Sequence, residues 1–136
     1  MKSLKILFVE DDLIEVMKFH RVLEKLQSDH QVIEASNAEF ALNILRDQQY
    51  KPDIIILDLN MPKINGIEFL NILKKDALFK YIPIIILTTS ANQRDVKECF
   101  EIGIAGYLLK PLKYDDYVLI IKGLLDYWSQ NILISI

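Results

Sequence analysis

Residues 53–66 read DIIILDLNMPKING. From Ile54 to Leu57 the apolar run does not alternate with polar residues, which is how a strand covered on both faces reads. It stops on a carboxylate, Asp58, and then enters Asn60, Pro62, Asn65 and Gly66, all residues that favour turns and loops. The stretch therefore predicts a buried strand that delivers Asp58 at its carboxyl end. Asp58 and Asn60 also open a calcium-loop-like pattern, but Lys63 stands where that loop needs glycine and Pro62 breaks its turn, so an EF-hand is rejected.

Outward from this stretch, similar apolar segments lie at Leu4 to Val9, Gln31 to Ala35, Ile84 to Leu87 and Gly106 to Leu109, with the strand quoted above taken as Asp53 to Leu57. Between them the apolar residues fall at helical spacing: Val16, Phe19, His20, Leu23 and Leu26; Phe40, Ala41, Ile44 and Leu45; Ile67, Leu70, Ile72 and Leu73; and Val96, Cys99, Phe100 and Ile102, with Gly103 as a helix stop. A last helix is expected from Tyr114 to Trp128. Strand and helix alternate five times, and right-handed crossovers then predict an α/β fold: a doubly wound five-stranded parallel sheet of order 2-1-3-4-5, flavodoxin-like (βα)5. The expected organisation is a single domain over residues 1–136 with a C-terminal hydrophobic tail at 129–136.

Composition narrows the function. Hydrophobic residues make up 51% of the chain, too many for a disordered chain, while the apolar runs are too short to span a membrane. With 16 basic and 19 acidic residues the net charge is −3, which lacks the positive footprint of a nucleic-acid binder. The opening MKSLKILFVEDD contains no secretory-type apolar region, so a cytoplasmic location is expected. Cys99, the lone cysteine, reads as a buried thiol, and His20 and His30 as structural or surface residues.

In an open parallel sheet, ligands gather beyond the carboxyl ends of the strands at the switch in strand order. Glu10, Asp11 and Asp12 follow the first strand, Asp58 ends the third, Thr88, Thr89 and Ser90 end the fourth, and Lys110 with Pro111 ends the fifth. Such crowded carboxylates need a cation, and a donor set of hard oxygens without histidine or thiolate favours Mg2+ over zinc. Asp58 is then the natural nucleophile for an aspartyl phosphate, with Lys110 neutralising the phosphoryl oxygens and Thr88 donating to one of them. Each residue also has a plainer role: Asp11 or Asp12 as a helix cap, Thr88 as a structural hydroxyl, Lys110 as a surface lysine. A flavin-binding module on the same sheet is disfavoured, because its phosphate would meet Glu10, Asp11 and Asp12.

Taken together, FVEDD, IIILDLNMPKINGIEF, IPIIILTTSA and GIAGYLLKPL resemble the response-regulator receiver family, specifically stand-alone receivers of the chemotaxis type, over roughly residues 4 to 128. The resemblance implies that Asp58 is the phosphoacceptor for a histidine kinase, that Asp11 and Asp12 bind Mg2+ with Asp58 and the backbone carbonyl of Asn60, and that Thr88 and Lys110 contact the phosphoryl group. It further implies Tyr107 as the aromatic that follows Thr88, Gly66 as the glycine after the acceptor loop, and a cis peptide before Pro111. The segment KKDALFKYIP and the ending SQNILISI are similar to receivers paired with bacterial phytochromes, which implies such a kinase as partner. Ile132, Leu133, Ile134 and Ile136 would be awkward in water, so a homodimer through the last helix and the tail is expected, with folding back onto the same domain as the alternative. The expected function is a single-domain response regulator that signals through protein contacts, a regulatory phosphoacceptor with slow autodephosphorylation rather than an enzyme. The alternatives are a non-phosphorylated pseudo-receiver that only binds proteins and, third, a phosphatase.

Overall fold

The computed structural model describes residues 2–47, 50–61 and 63–135. Two residues singled out above, Pro62 and Ile136, lie outside the described residues. The elements are β1 (Lys5–Val9), α1 (Leu13–Lys25), β2 (Gln31–Ala35), α2 (Ala38–Arg46), β3 (Ile54–Leu57), α3 (Gly66–Lys75), a 3-10 turn (Phe79–Tyr81), β4 (Ile84–Thr88), α4 (Gln93–Ile102), β5 (Gly106–Leu109) and α5 (Tyr114–Trp128). The five strands are all parallel and their order is β2-β1-β3-β4-β5, as the sequence predicts. Strand boundaries agree with the sequence reading to within a residue.

The unbroken apolar runs are explained by a core on each side of the sheet. Along β1, Leu7 and Val9 face α2, α3 and α4, while Ile6 and Phe8 face α1 and α5; β3 divides the same way, Ile55 and Leu57 against Ile54 and Ile56. All of these are buried, so neither face of the central strands has room for a polar side chain. Phe8 stacks on Phe19 with ring centroids 4.3 Å apart, which fixes α1 against β1. Phe40 and Phe100, two of the apolar residues at helical spacing, are about half exposed on α2 and α4. Apolar spacing covers a face wider than the stripe that these helices bury.

Local signals set the helix boundaries. Asp12, Asn37, Asn65 and Asn92 cap α1, α2, α3 and α4, each accepting a backbone N–H of the first turn. Gly103 ends α4 with φ +122°, a conformation that side chains other than glycine's rarely adopt, and its N–H bonds to Cys99 O at 3.0 Å. Cys99 is fully buried, and burial first, then Asp95 and Glu98, pushes its thiol up to about 11, in keeping with an inert thiol. His30 is structural, accepting the N–H of Leu4 at 2.8 Å, and His20 pairs with Glu34 across the α1–β2 surface.

The tail returns to its own domain in part. Leu133 packs on the α1–α5 side of the core, and Ile134 and Ser135 run beside Lys5, Lys51 and Pro52. Ile132 and Ile134 point away, 101% and 62% exposed. No helix among the described residues is long and apolar enough to cross a membrane.

Gly66 ties the start of α3 to the chain that leaves β3. Its N–H bonds to Leu59 O at 3.0 Å, and a Cβ there would stand 2.6 Å from the Leu59 Cα and 2.8 Å from the Asp58 carbonyl oxygen. Both are backbone atoms that cannot swing aside. Gly66→Ala is therefore expected to destabilise the domain by about 1–3 kcal/mol through overpacking, read as a lower urea midpoint at unchanged m-value.

Candidate functional site

Strand pairing assembles the site. Asp58 N–H bonds to Val9 O at 3.1 Å, which sets Asp58 beside the end of β1; Glu10 N–H bonds to Ala35 O at 3.0 Å; and Lys110 N–H bonds to Thr88 O at 2.8 Å, which sets Lys110 beside the end of β4. Residues far apart in the chain thus meet along the carboxyl edge of the sheet, at the switch point between β1 and β3.

Glu10, Asp11 and Asp58 each offer a carboxylate oxygen within 4.8 Å of the others. Glu10 and Asp58 are buried and Asp11 is exposed. Asp58 Oδ1 is buried and has no hydrogen-bond partner among the described residues. A buried, unpaired carboxylate oxygen beside two further carboxylates is the environment a hard divalent cation satisfies, so the donor set fits such an ion.

Asp12 does not join them. Its Oδ1 accepts the N–H of Ile14 at 2.9 Å as the cap of α1. The sequence reading paired Asp11 with Asp12 as ligands, whereas the carboxylates that gather with Asp58 are those of Glu10 and Asp11. The sequence did hold the signal, since Asp12-Leu13-Ile14-Glu15 is a cap followed three residues later by an acid, the pattern that opens a helix. Reading Asp12 as the cap leaves Glu10 and Asp11 as the acids beside Asp58.

Lys110 is the cation of the site. Its side chain is 7% exposed and its Nζ lies 2.6 Å from Glu10 Oε1, 3.8 Å from Asp58 Oδ2 and 3.9 Å from Glu15 Oε2. Burial works against its charge, but the Glu10 hydrogen bond and the carboxylates of Asp58, Glu10 and Glu15 outweigh it and raise its pKa. Burial pushes the Glu10 carboxyl up to about 7 against the pull of Lys110, and Asp58 adds to the rise. Glu15, on the inner side of α1, was not singled out from the sequence because helical spacing there marks apolar residues only.

Lys110 reaches inward without a cis bond: no peptide among the described residues is cis, so Lys110–Pro111 is trans, the form X–Pro bonds favour by about 0.5–1 kcal/mol. The pairing of β5 with β4 and the contact with Glu10 are what aim the ammonium.

Thr88 is fully buried, and its Oγ1 accepts from Asn60 Nδ2 at 3.5 Å and Ser90 N–H at 3.4 Å. Asn60 is exposed in the loop after β3, two residues beyond Asp58. Tyr107 OH donates to Ser90 O at 2.7 Å, and burial raises its pKa. The structure thus brings Asp11, Asp58, Asn60, Thr88, Tyr107 and Lys110 to one edge.

Comparison with known proteins agrees with this geometry. Residues 6–122 match the family described as response regulator receiver domain. The response regulator Rcp1 of Synechocystis is 33% identical over 132 residues, 93% of this chain and 90% of that protein. Protein PilH of Pseudomonas aeruginosa is 35% identical over 121 residues, 89% of this chain and 97% of its own. Among solved structures, the phosphorylated cyanobacterial phytochrome response regulator RcpA superimposes with a TM-score of 0.91 at 29% identity, covering 98% of this chain and 99% of that one. The Mn(2+)-bound form of Rcp1 gives a TM-score of 0.88 at 30% identity, with the same coverage. With its acids, hydroxyl and lysine meeting at the carboxyl edge of a 2-1-3-4-5 sheet, and with these relatives along nearly its whole length, the chain belongs to the response regulator receiver domain family.

Proposed function

We propose that this receiver is a single-domain switch of a two-component pathway in which Asp58 accepts a phosphoryl group from a histidine kinase. The observation that carries the reading is the buried Asp58 carboxylate, one oxygen unpartnered and the other 3.8 Å from the Lys110 ammonium. An Asp58 oxygen attacks phosphorus, the P–N bond of the kinase phosphohistidine breaks, and the imidazole leaves with the electron pair. Hydrolysis later breaks the new P–O bond and releases inorganic phosphate, a slow regulatory step and not a metabolic turnover.

Glu10, Asp11, Asp58 and the backbone carbonyl of Asn60 would hold Mg2+, which when bound neutralises the anionic charge gathered at phosphorus. Lys110, already among carboxylates, contacts the phosphoryl oxygens. Thr88 Oγ1 accepts two hydrogen bonds, so its own proton is the donor it has left for a phosphoryl oxygen. Moving Thr88 inward withdraws the acceptor from Ser90 N–H, and Tyr107, bound to Ser90 O, follows.

The donor's docking face is the outer side of α1, where Leu13, Ile14 and Met17 are 75%, 68% and 67% exposed directly after the acidic pair. The likeness to RcpA, a cyanobacterial phytochrome response regulator, supports a phytochrome-type kinase as the donor. Output passes through protein contacts in the cytoplasm, with no direct role for nucleic acid at a net charge of −3. Residues 1–136 act as one domain whose tail, 129–136, joins α5 in a homodimer: Ile132 and Ile134 of the tail are exposed, and on α5 Leu119 and Tyr127 are exposed at an apolar groove of about 350 Å3 against β5.

Incubation with magnesium and acetyl phosphate is expected to give acid-labile phosphate mapping to Asp58, lost in Asp58→Asn; no incorporation by the unaltered protein would leave it a binding-only pseudo-receiver. Asp11→Ala is expected to weaken divalent-ion binding by about tenfold or more in a calorimetric titration. Asp12→Ala should instead leave that affinity near its starting value and cost about 1 kcal/mol of stability as a lost cap. Molar mass measured by light scattering should fall from dimer to monomer when the chain ends at Asn131, and equal monomeric masses would remove the dimer.

A further inference from the structure

Lys110 has three N–H donors, and only one is committed, to Glu10 at 2.6 Å. The other two face near-equal claims, Asp58 Oδ2 at 3.8 Å and Glu15 Oε2 at 3.9 Å. Glu15 Oε2 is buried and has no hydrogen-bond partner among the described residues, a costly state for a carboxylate oxygen, so it pulls on the ammonium beside it. Its other oxygen, Oε1, is 3.5 Å from Lys18 Nζ, and Lys18 also sits 4.6 Å above the ring of the buried Tyr117. Glu15 thus stands between two cations, one inside the site and one at its rim. It lies outside the motifs that mark the site, and it is a carboxylate that the acidic cluster of Glu10, Asp11 and Asp58 does not include.

We infer that Glu15 is a positioning residue that holds Lys110 back from Asp58, and that its charge limits how readily Asp58 takes up and keeps a phosphoryl group, with Lys18 tempering that charge from outside. The inference rests on Asp58 being the phosphoacceptor. In the modified state Lys110 has to serve a group with about two negative charges, and Glu15 opposes this twice, by competing for the ammonium and by repelling the anion. Removing the Glu15 charge therefore favours the modified state, and removing Lys18 disfavours it.

The experiment measures acyl-phosphate half-life, apparent KM and limiting rate with acetyl phosphate, together with binding of trifluoroberyllate in magnesium, a phosphoryl mimic that needs no transfer step. Thermal unfolding is followed for each protein. Glu15→Gln keeps the shape and loses the charge; it should lengthen the half-life, lower the KM and tighten trifluoroberyllate binding, each by about three- to tenfold. Lys18→Met should move the same three quantities the other way, and Glu15→Asp, with its charge one methylene further off, should fall between Glu15→Gln and the unaltered protein. A purely structural role would shift the melting temperature and would not give opposite signs for the two partners. Glu15→Gln and Lys18→Met curves that superimpose on those of a phosphorylatable unaltered protein, or that shift in the same direction, overturn the role of Glu15 alone. An unaltered protein that forms no acyl phosphate and binds no trifluoroberyllate overturns the phosphoacceptor reading and this inference with it.

Discussion

One ammonium holds the carboxyl edge of the sheet together. Lys110, at the end of β5, bonds to Glu10, at the end of β1, across 100 residues of chain and two intervening strands, in a place where both side chains are almost wholly removed from water. Burying either charge alone would be far costlier than burying the pair. Their meeting depends on everything beneath them: the register of β4 with β5 that sets Lys110 beside Thr88, and that of β1 with β3 that sets Asp58 beside Glu10. The isoleucine-rich strands form a rigid base, and the polar residues follow wherever the apolar runs end. The function sits at that edge because the interior excludes it elsewhere.

That dependence explains what could be read from the sequence. Two-sided burial turns β3 and β4 into the runs IIIL and IIILT, which need no partner to recognise, and their sharp ends point to Asp58 and Thr88. Strand order followed from the fold class. The choice among Glu10, Asp11 and Asp12 did not, because three consecutive acids carry no apolar boundary between them; it turned on which one the helix needed as its cap. Phe40 and Phe100 show a related limit, since helical spacing says which residues share a face but not how much of that face is covered. The tail was undecided between dimer and fold-back because its alternation serves both, Leu133 inward and Ile132 and Ile134 outward.

The charge of the site is unbalanced as it stands. When ionised, the carboxylates of Glu10, Asp11, Asp58 and Glu15 face the ammonium groups of Lys110 and Lys18, which leaves two negative charges in excess. Burial, which pushes the Glu10 carboxyl up to about 7, lets it take up a proton more readily than an ordinary carboxyl and so relieves part of the excess. A divalent cation carries the charge needed to remove the rest, while a phosphoryl group adds to it again. Under the proposed phosphorylation the site has to carry two anionic loads, without and with the phosphoryl group, and the position of Lys110 among its carboxylates bears on both.

α1 connects that balance to the surface. The helix begins at the Asp12 cap, presents Leu13, Ile14 and Met17 outward, and places Glu15 inward on Lys110 within the same first turn and a half. Phe19, stacked on Phe8, fixes the middle of the helix against β1 about one turn beyond Glu15. A pair at 3.9 Å in a largely dry site is sensitive to small displacements, because Coulomb energy at low effective dielectric changes steeply over the first few ångströms. Under the proposed docking on the outer face of α1, a partner would bear on the residue that competes for the site's lysine, and a change in the hold on Lys110 would be felt in turn by that face.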